Sequence, residues 1–63
     1  MSGYVITKTV LGRWTYYLEG LEGNGKPYWN GLRNNAKEMN LVNCMLVLDK
    51  LKKVYPLELF EWK

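Results

Sequence analysis

The chain has 63 residues, of which 48% are hydrophobic, a net charge of +3, one cysteine and no histidine. A domain of this size buries only about 60% of its unfolded surface, and one cysteine excludes an intrachain disulfide. Without histidine or a second cysteine the sequence offers no zinc site and no usual proton shuttle. We therefore expect a protein that is not an enzyme and that holds no cofactor or metal. Residues 1–63 should form a single domain, which is stabilised by homo-oligomerisation or by a partner.

The first predicted element is a β-hairpin. Residues 4–10 are rich in β-branched side chains, Gly12 with Arg13 favours a tight turn, and residues 14–19 return as a second strand. Because side chains alternate between the faces of a strand, one face of the second strand carries Trp14, Tyr16 and Leu18. Lys8 interrupts the apolar row of the first strand, so the sequence leaves open which sheet face meets the helix.

The glycine-rich segment that follows is predicted to be the tip of a second hairpin. Asn24-Gly25 is a favoured pair for a type I′ turn, with positive φ at both residues, and Tyr28-Trp29 would form a short third strand. The spacing from Gly20 to Lys26 matches a phosphate-binding loop, but Pro27 stands where Ser or Thr would hold magnesium. We therefore expect neither a nucleotide nor another small-molecule substrate.

A single helix is predicted near the end of the chain. Asn40 is a suitable N-cap for a helix over residues 41–55, and Pro56 forbids its continuation. Residues 57–62 are apolar-rich and are predicted to form a closing strand, whereas residues 36–39 are either a brief edge strand or an irregular lead-in. The fold class is therefore α+β, a small antiparallel sheet of three to four strands with one helix packed on one face.

The helix has a broad apolar face that belongs against the sheet. At about 100° per residue, that face consists of Leu41, Cys44, Val47, Leu48, Leu51, Val54 and Tyr55. Val42 and Leu46 point the other way, one turn apart, with Met45 at the border. Either these three are scattered surface apolar residues, which are normal, or they form a contact patch for another helix or another chain, for example in self-association.

The aromatic residues lie outside residues 30–54 and suggest a binding surface on the sheet. One helix covers one face, so the other face and an edge would be free for a partner protein. Aromatic residues and arginine dominate interface energetics, and we expect the partner-binding residues to be Tyr17, Trp29, Phe60 and Trp62, with Arg13 and Arg33 at the rim. The alternative is a nucleic-acid binder that uses the same aromatic and basic sheet face.

By layout the chain resembles small phage- and prophage-encoded proteins. The likeness lies in the opening hairpin from Tyr4-Val5-Ile6 to Gly12-Arg13-Trp14, in Ala36-Lys37-Glu38-Met39, and in the helix and closing strand over residues 48–59. The resemblance implies a non-enzymatic inhibitor or modulator that occludes a host protein, for example in a bacterial defence system. It carries over no functional residue.

The start of the chain lacks a basic region followed by an apolar stretch, and the longest apolar run is far shorter than a membrane span of about 20 residues. We therefore expect a cytoplasmic protein that does not act at a membrane.

Overall fold

The structure, a computed structural model, describes residues 3–63 as one antiparallel sheet with one α-helix. The elements in chain order are β1 (Ile6–Val10), β2 (Trp14–Leu21), β3 (Pro27–Asn30), a short 3-10 helix (Arg33–Asn35), α1 (Leu41–Val54) and β4 (Leu59–Trp62). The strand order is β3-β2-β1-β4, and every neighbouring pair is antiparallel. This architecture confirms the predicted α+β fold, and Tyr28-Trp29 is a strand as expected.

The turn between β1 and β2 has positive φ at two successive residues. Leu11 has φ 55° and Gly12 has φ 65°, and the Arg13 N–H donates to the Val10 carbonyl at 3.1 Å. Two positive φ angles suit the twist of a hairpin, and the glycine adopts its angle without the penalty that a Cβ brings.

The second turn differs from the predicted type I′ geometry. Gly25 has φ 84°, whereas Asn24 does not have positive φ, so that prediction is wrong. The Asn24 side chain instead accepts a hydrogen bond from the Lys26 N–H at 3.0 Å, and the Gly25 N–H donates to the Glu22 carbonyl at 2.8 Å. Side-chain bonding of this kind lets asparagine stabilise a turn without a left-handed backbone.

The segment between β3 and α1 is an irregular lead-in rather than a regular strand. Met39 and Tyr4 exchange two backbone hydrogen bonds of 2.9 Å in an isolated bridge. The Lys37 N–H donates to the Leu18 carbonyl, also at 2.9 Å. These bonds tie the start of the helix to the residues ahead of β1 and to β2.

Helix α1 begins at Leu41 as predicted and ends at Val54, one residue before the predicted end at Tyr55. The Asn40 side chain accepts a hydrogen bond from the Asn43 N–H at 2.8 Å, which satisfies one of the free donors of the first turn. Lys52 and Lys53 lie in the last turn, where their charge complements the helix dipole. The closing strand begins at Leu59 rather than at residue 57, because the chain turns after Tyr55. In this turn the Glu58 N–H donates to the Tyr55 carbonyl at 3.2 Å.

The core lies between α1 and one face of the sheet. Its buried side chains are Ile6, Leu18, Cys44, Leu48, Leu51 and Phe60. The predicted helix face is thus confirmed at its centre, but Val54 is 63% exposed and Leu41 is 39% exposed. Val54 lies about 60° around the helix from Leu51, at the border of the apolar face. Its side chain therefore does not pack against the sheet.

Candidate functional site

Phe60 and Trp29 belong to the helix side of the sheet, not to a free face. Phe60 is paired with Lys8, and Trp29 with Leu18, so both share the face of the buried Leu18. Their rings stack with centroids 5.8 Å apart and planes 11° from parallel, which joins the two edge strands across the core. Phe60 is only 6% exposed. The expectation that Phe60 is a partner anchor is therefore wrong, because its ring is already packed inside the protein.

Lys8 explains why the sequence did not reveal the buried face. Its side chain lies on the helix side and is 19% exposed, with Nζ 4.8 Å from the Trp29 ring centroid and 3.6 Å from Glu58 Oε1. A lysine can bury its aliphatic stem while its ammonium group stays over an aromatic ring or beside a carboxylate. The lysine therefore continues the inward row rather than breaking it.

The other predicted anchors do not come together in one surface. Trp62 lies opposite Ile6 on edge strand β4, is 42% exposed, and meets Tyr4 edge to face at 5.5 Å. Tyr17 pairs with Thr7 and is half-buried on the opposite sheet face, which also carries Thr9 and Thr15. That face is therefore rich in threonine rather than in aromatic rings.

The two predicted rim arginines belong to different segments of the fold. Arg13 is exposed next to the first hairpin turn, and its guanidinium lies 5.0 Å from the centroid of the Trp14 ring. Arg33 is exposed in the 3-10 helix that follows β3. The ring that Arg13 meets is therefore that of Trp14, which is not one of the four predicted aromatic anchors.

The apolar residues predicted for self-association are exposed on α1. Val42 is 69% exposed, Met45 49% and Leu46 65%, and we call these three residues the α1 patch. One to two turns further along the same side, Asp49 and Lys53 form an ion pair at 3.2 Å. The patch is thus an apolar surface with both signs of charge beside it.

A second apolar surface, which the sequence did not predict, is a groove between α1 and the tip of the β2–β3 hairpin. It has a volume of about 820 Å³, and we call it the hairpin groove. Its apolar lining comes from Leu21, Leu46, Val47, Leu51, Val54 and Tyr55. Lys26, Lys50 and Lys53 lie around it, together with Asp49. It joins residues 21–26 to residues 46–55, which are distant in sequence, so no local pattern could reveal it.

Metal-ligating side chains and the single thiol are two kinds of reactive group that bear on catalysis. Residues 3–63 contain no group of three or more His, Cys, Asp or Glu side chains that could hold a metal ion. Cys44 is fully buried in the core, and burial raises the pKa of its thiol. A raised pKa keeps the sulfur protonated at neutral pH, whereas nucleophilic cysteines need a lowered pKa.

Comparisons with models of known protein families, with curated proteins and with solved structures found no match. Within residues 3–63, no helix combines the length and the apolar character that a membrane crossing requires.

Proposed function

We propose that this chain is a protein-binding module without catalytic activity, which self-associates through the α1 patch and acts by covering a surface of another protein. The observation that carries the proposal is the exposure of Val42, Met45 and Leu46 on the side of α1 that faces away from the sheet. Large apolar side chains that cluster on one exposed face are typical of a contact surface.

The patch is suited to a symmetric dimer. A two-fold axis brings the same surface of two copies together, so six apolar side chains would meet. Full burial of each contributes about 1.5–3 kcal/mol. Since each of these side chains is only half to two-thirds exposed in the monomer, burial of all six in the dimer contributes roughly 5–10 kcal/mol in total. Association itself costs about 4–15 kcal/mol, so we expect a weak dimer whose population depends on concentration.

The resemblance to phage-encoded proteins supports a host protein as the partner, for example a component of a bacterial defence system, met in the cytoplasm. Occlusion needs no reactive group, and the only thiol is buried in the core. The main further surface for such a partner is the hairpin groove, which shares only Leu46 with the α1 patch.

Sedimentation velocity over a range of protein concentrations tests the self-association. Leu46→Glu places a charge in the patch and should shift the chain to monomer at concentrations where the wild type associates. Asn43→Glu is the matched control: it adds the same charge on α1, at an exposed position of the first turn where a carboxylate suits the helix dipole. Equal association of wild type and Leu46→Glu, or a wild type that stays monomeric throughout, would refute the proposal.

A second candidate function is nucleic-acid binding, which one observation favours. Arg13 lies 5.0 Å from the Trp14 ring centroid, and Trp14 and Tyr16 are 48% and 37% exposed on one strand face. Aromatic rings with a nearby guanidinium are the ingredients of a base-stacking surface. The affinity for labelled single-stranded and duplex oligonucleotides, measured at two salt concentrations, tests nucleic-acid binding. Binding through phosphate contacts should weaken steeply as salt rises.

A further inference from the structure

The hairpin groove has an apolar floor between two basic walls. Lys26 lies on the hairpin side and Lys50 on the helix side, and neither forms a salt bridge with another residue of the described part of the chain. Among the described residues that line the groove, the one carboxylate is that of Asp49, which is paired with Lys53 at 3.2 Å. The unpaired charge on both walls is therefore positive.

This arrangement selects among possible occupants. A fatty acid or similar amphiphile carries its charge at one end, and so would meet a lysine on only one wall. An amphipathic helix with an apolar stripe flanked by carboxylates presents negative charge to both walls at once. A groove that binds a helix contacts apolar residues at positions i, i+3, i+4 and i+7 of that helix. Opposite charges at the rim steer and orient the helix in the groove.

The length of the groove agrees with this occupant. Its lining on α1 runs from Leu46 to Val54, which is about 12 Å of helix and matches roughly two turns of a partner helix.

We propose that the hairpin groove binds an acidic amphipathic helix of a partner protein. Aliphatic side chains of the partner pack on the exposed Leu21 and Val54, and its carboxylates pair with Lys26 and Lys50. This inference rests on the proposed protein-binding function, but it concerns a surface beside the α1 patch, and only Leu46 contributes to both.

Fluorescence anisotropy with designed peptides tests the inference on the intact chain. The probe is a labelled helical peptide of about four turns with leucine at i, i+3, i+4 and i+7 and glutamate at the flanking positions. A second peptide has lysine at every glutamate position, and dodecanoate is the competing amphiphile. The wild type should bind the glutamate peptide at least about tenfold more tightly than the lysine peptide, and less tightly as salt rises.

Two matched substitutions locate the site. Lys50→Glu should weaken binding of the glutamate peptide at least about tenfold, because it places a like charge on the helix-side wall. Lys52→Glu makes the same change two residues away, at an exposed position of α1 outside the groove, and should weaken binding less than about threefold through general charge alone. Val54→Asp should also weaken binding, because it puts a carboxylate on the apolar floor.

Three results would overturn the inference: equal affinity for the two peptides, equal loss in Lys50→Glu and Lys52→Glu, or binding of dodecanoate without binding of the glutamate peptide. None of them depends on sedimentation of the Leu46→Glu variant, so a failure here is distinguishable from a failure of self-association.

Discussion

Replacement of Phe60 tests which face of the sheet carries the core. In Phe60→Ala the ring that stacks on Trp29 at 5.8 Å and meets Tyr55 at 6.5 Å is lost. Removal of a buried phenylalanine costs about 3–5 kcal/mol. A domain of this length is stable by roughly 3–9 kcal/mol, so we expect the variant to lose a third or more of its stability.

Phe60→Leu separates volume from aromatic contact. Leucine keeps much of the buried apolar volume but loses both ring pairs, each of which contributes about 0.5–1.5 kcal/mol. We therefore expect an intermediate loss of about 1–3 kcal/mol.

The assay is urea denaturation followed by far-UV circular dichroism, with the free energy of unfolding compared between variants. Leu59→Ala is the matched control, because Leu59 is the neighbour of Phe60 in β4 and is 64% exposed on the opposite face. Its loss should stay within about 1 kcal/mol, the span of strand propensities. If Phe60→Ala and Leu59→Ala lose the same small amount, the orientation of the sheet described above is wrong.

Other substitutions test the helix, its cap and the buried thiol. Leu48→Ala should lower the free energy of unfolding by about 2–5 kcal/mol in the same denaturation assay, and a negligible shift would mean that α1 is rotated. Asn40→Ala should lower it by about 0.5–2 kcal/mol through loss of the 2.8 Å bond from the Asn43 N–H, whereas Asn40→Asp should keep most of it. Burial raises the pKa of Cys44, so the unfolded chain releases the thiol proton first as pH rises. The stability due to the protonated thiol is therefore complete below about pH 8 and declines above the unfolded pKa of about 8.5. Cys44→Ala should show a smaller loss of stability than the wild type between neutral and alkaline pH, and equal pH profiles would contradict this.

Most elements of the fold could be predicted because their signals are local. Asn40 satisfies donors three residues away, Pro56 blocks the helix at its own position, and the β-branched residues of the first strand act through their own backbone preference. These effects depend on neighbours in sequence, so a single chain reveals them. The turn at Asn24-Gly25 was mispredicted because the asparagine side chain competes for the backbone N–H of Lys26.

The binding surfaces were harder to predict because they depend on which side chains tertiary contacts bring together. Lys8 interrupts the apolar row of the first strand, and only its contact with Trp29, from edge strand β3, shows that its side chain lies on the helix side. The same packing removes Phe60 from the set of free anchors. The α1 patch could be predicted, since the position of Leu46 on the helix follows from periodicity alone. The hairpin groove could not, since its two walls are about 25 residues apart along the chain.

The shared position of Leu46 links the two proposed surfaces. It belongs to the α1 patch and also lines the hairpin groove, so a partner helix that covers Leu46 removes part of the surface that a second copy needs. Linkage is reciprocal: the factor by which the peptide weakens self-association equals the factor by which self-association weakens peptide binding. Saturating glutamate peptide should therefore shift the sedimentation profile of the wild type toward monomer, while the lysine peptide should leave it unchanged. If the bound glutamate peptide does not alter the dimer population, Leu46 contributes to one surface only. Self-association and peptide binding are then independent.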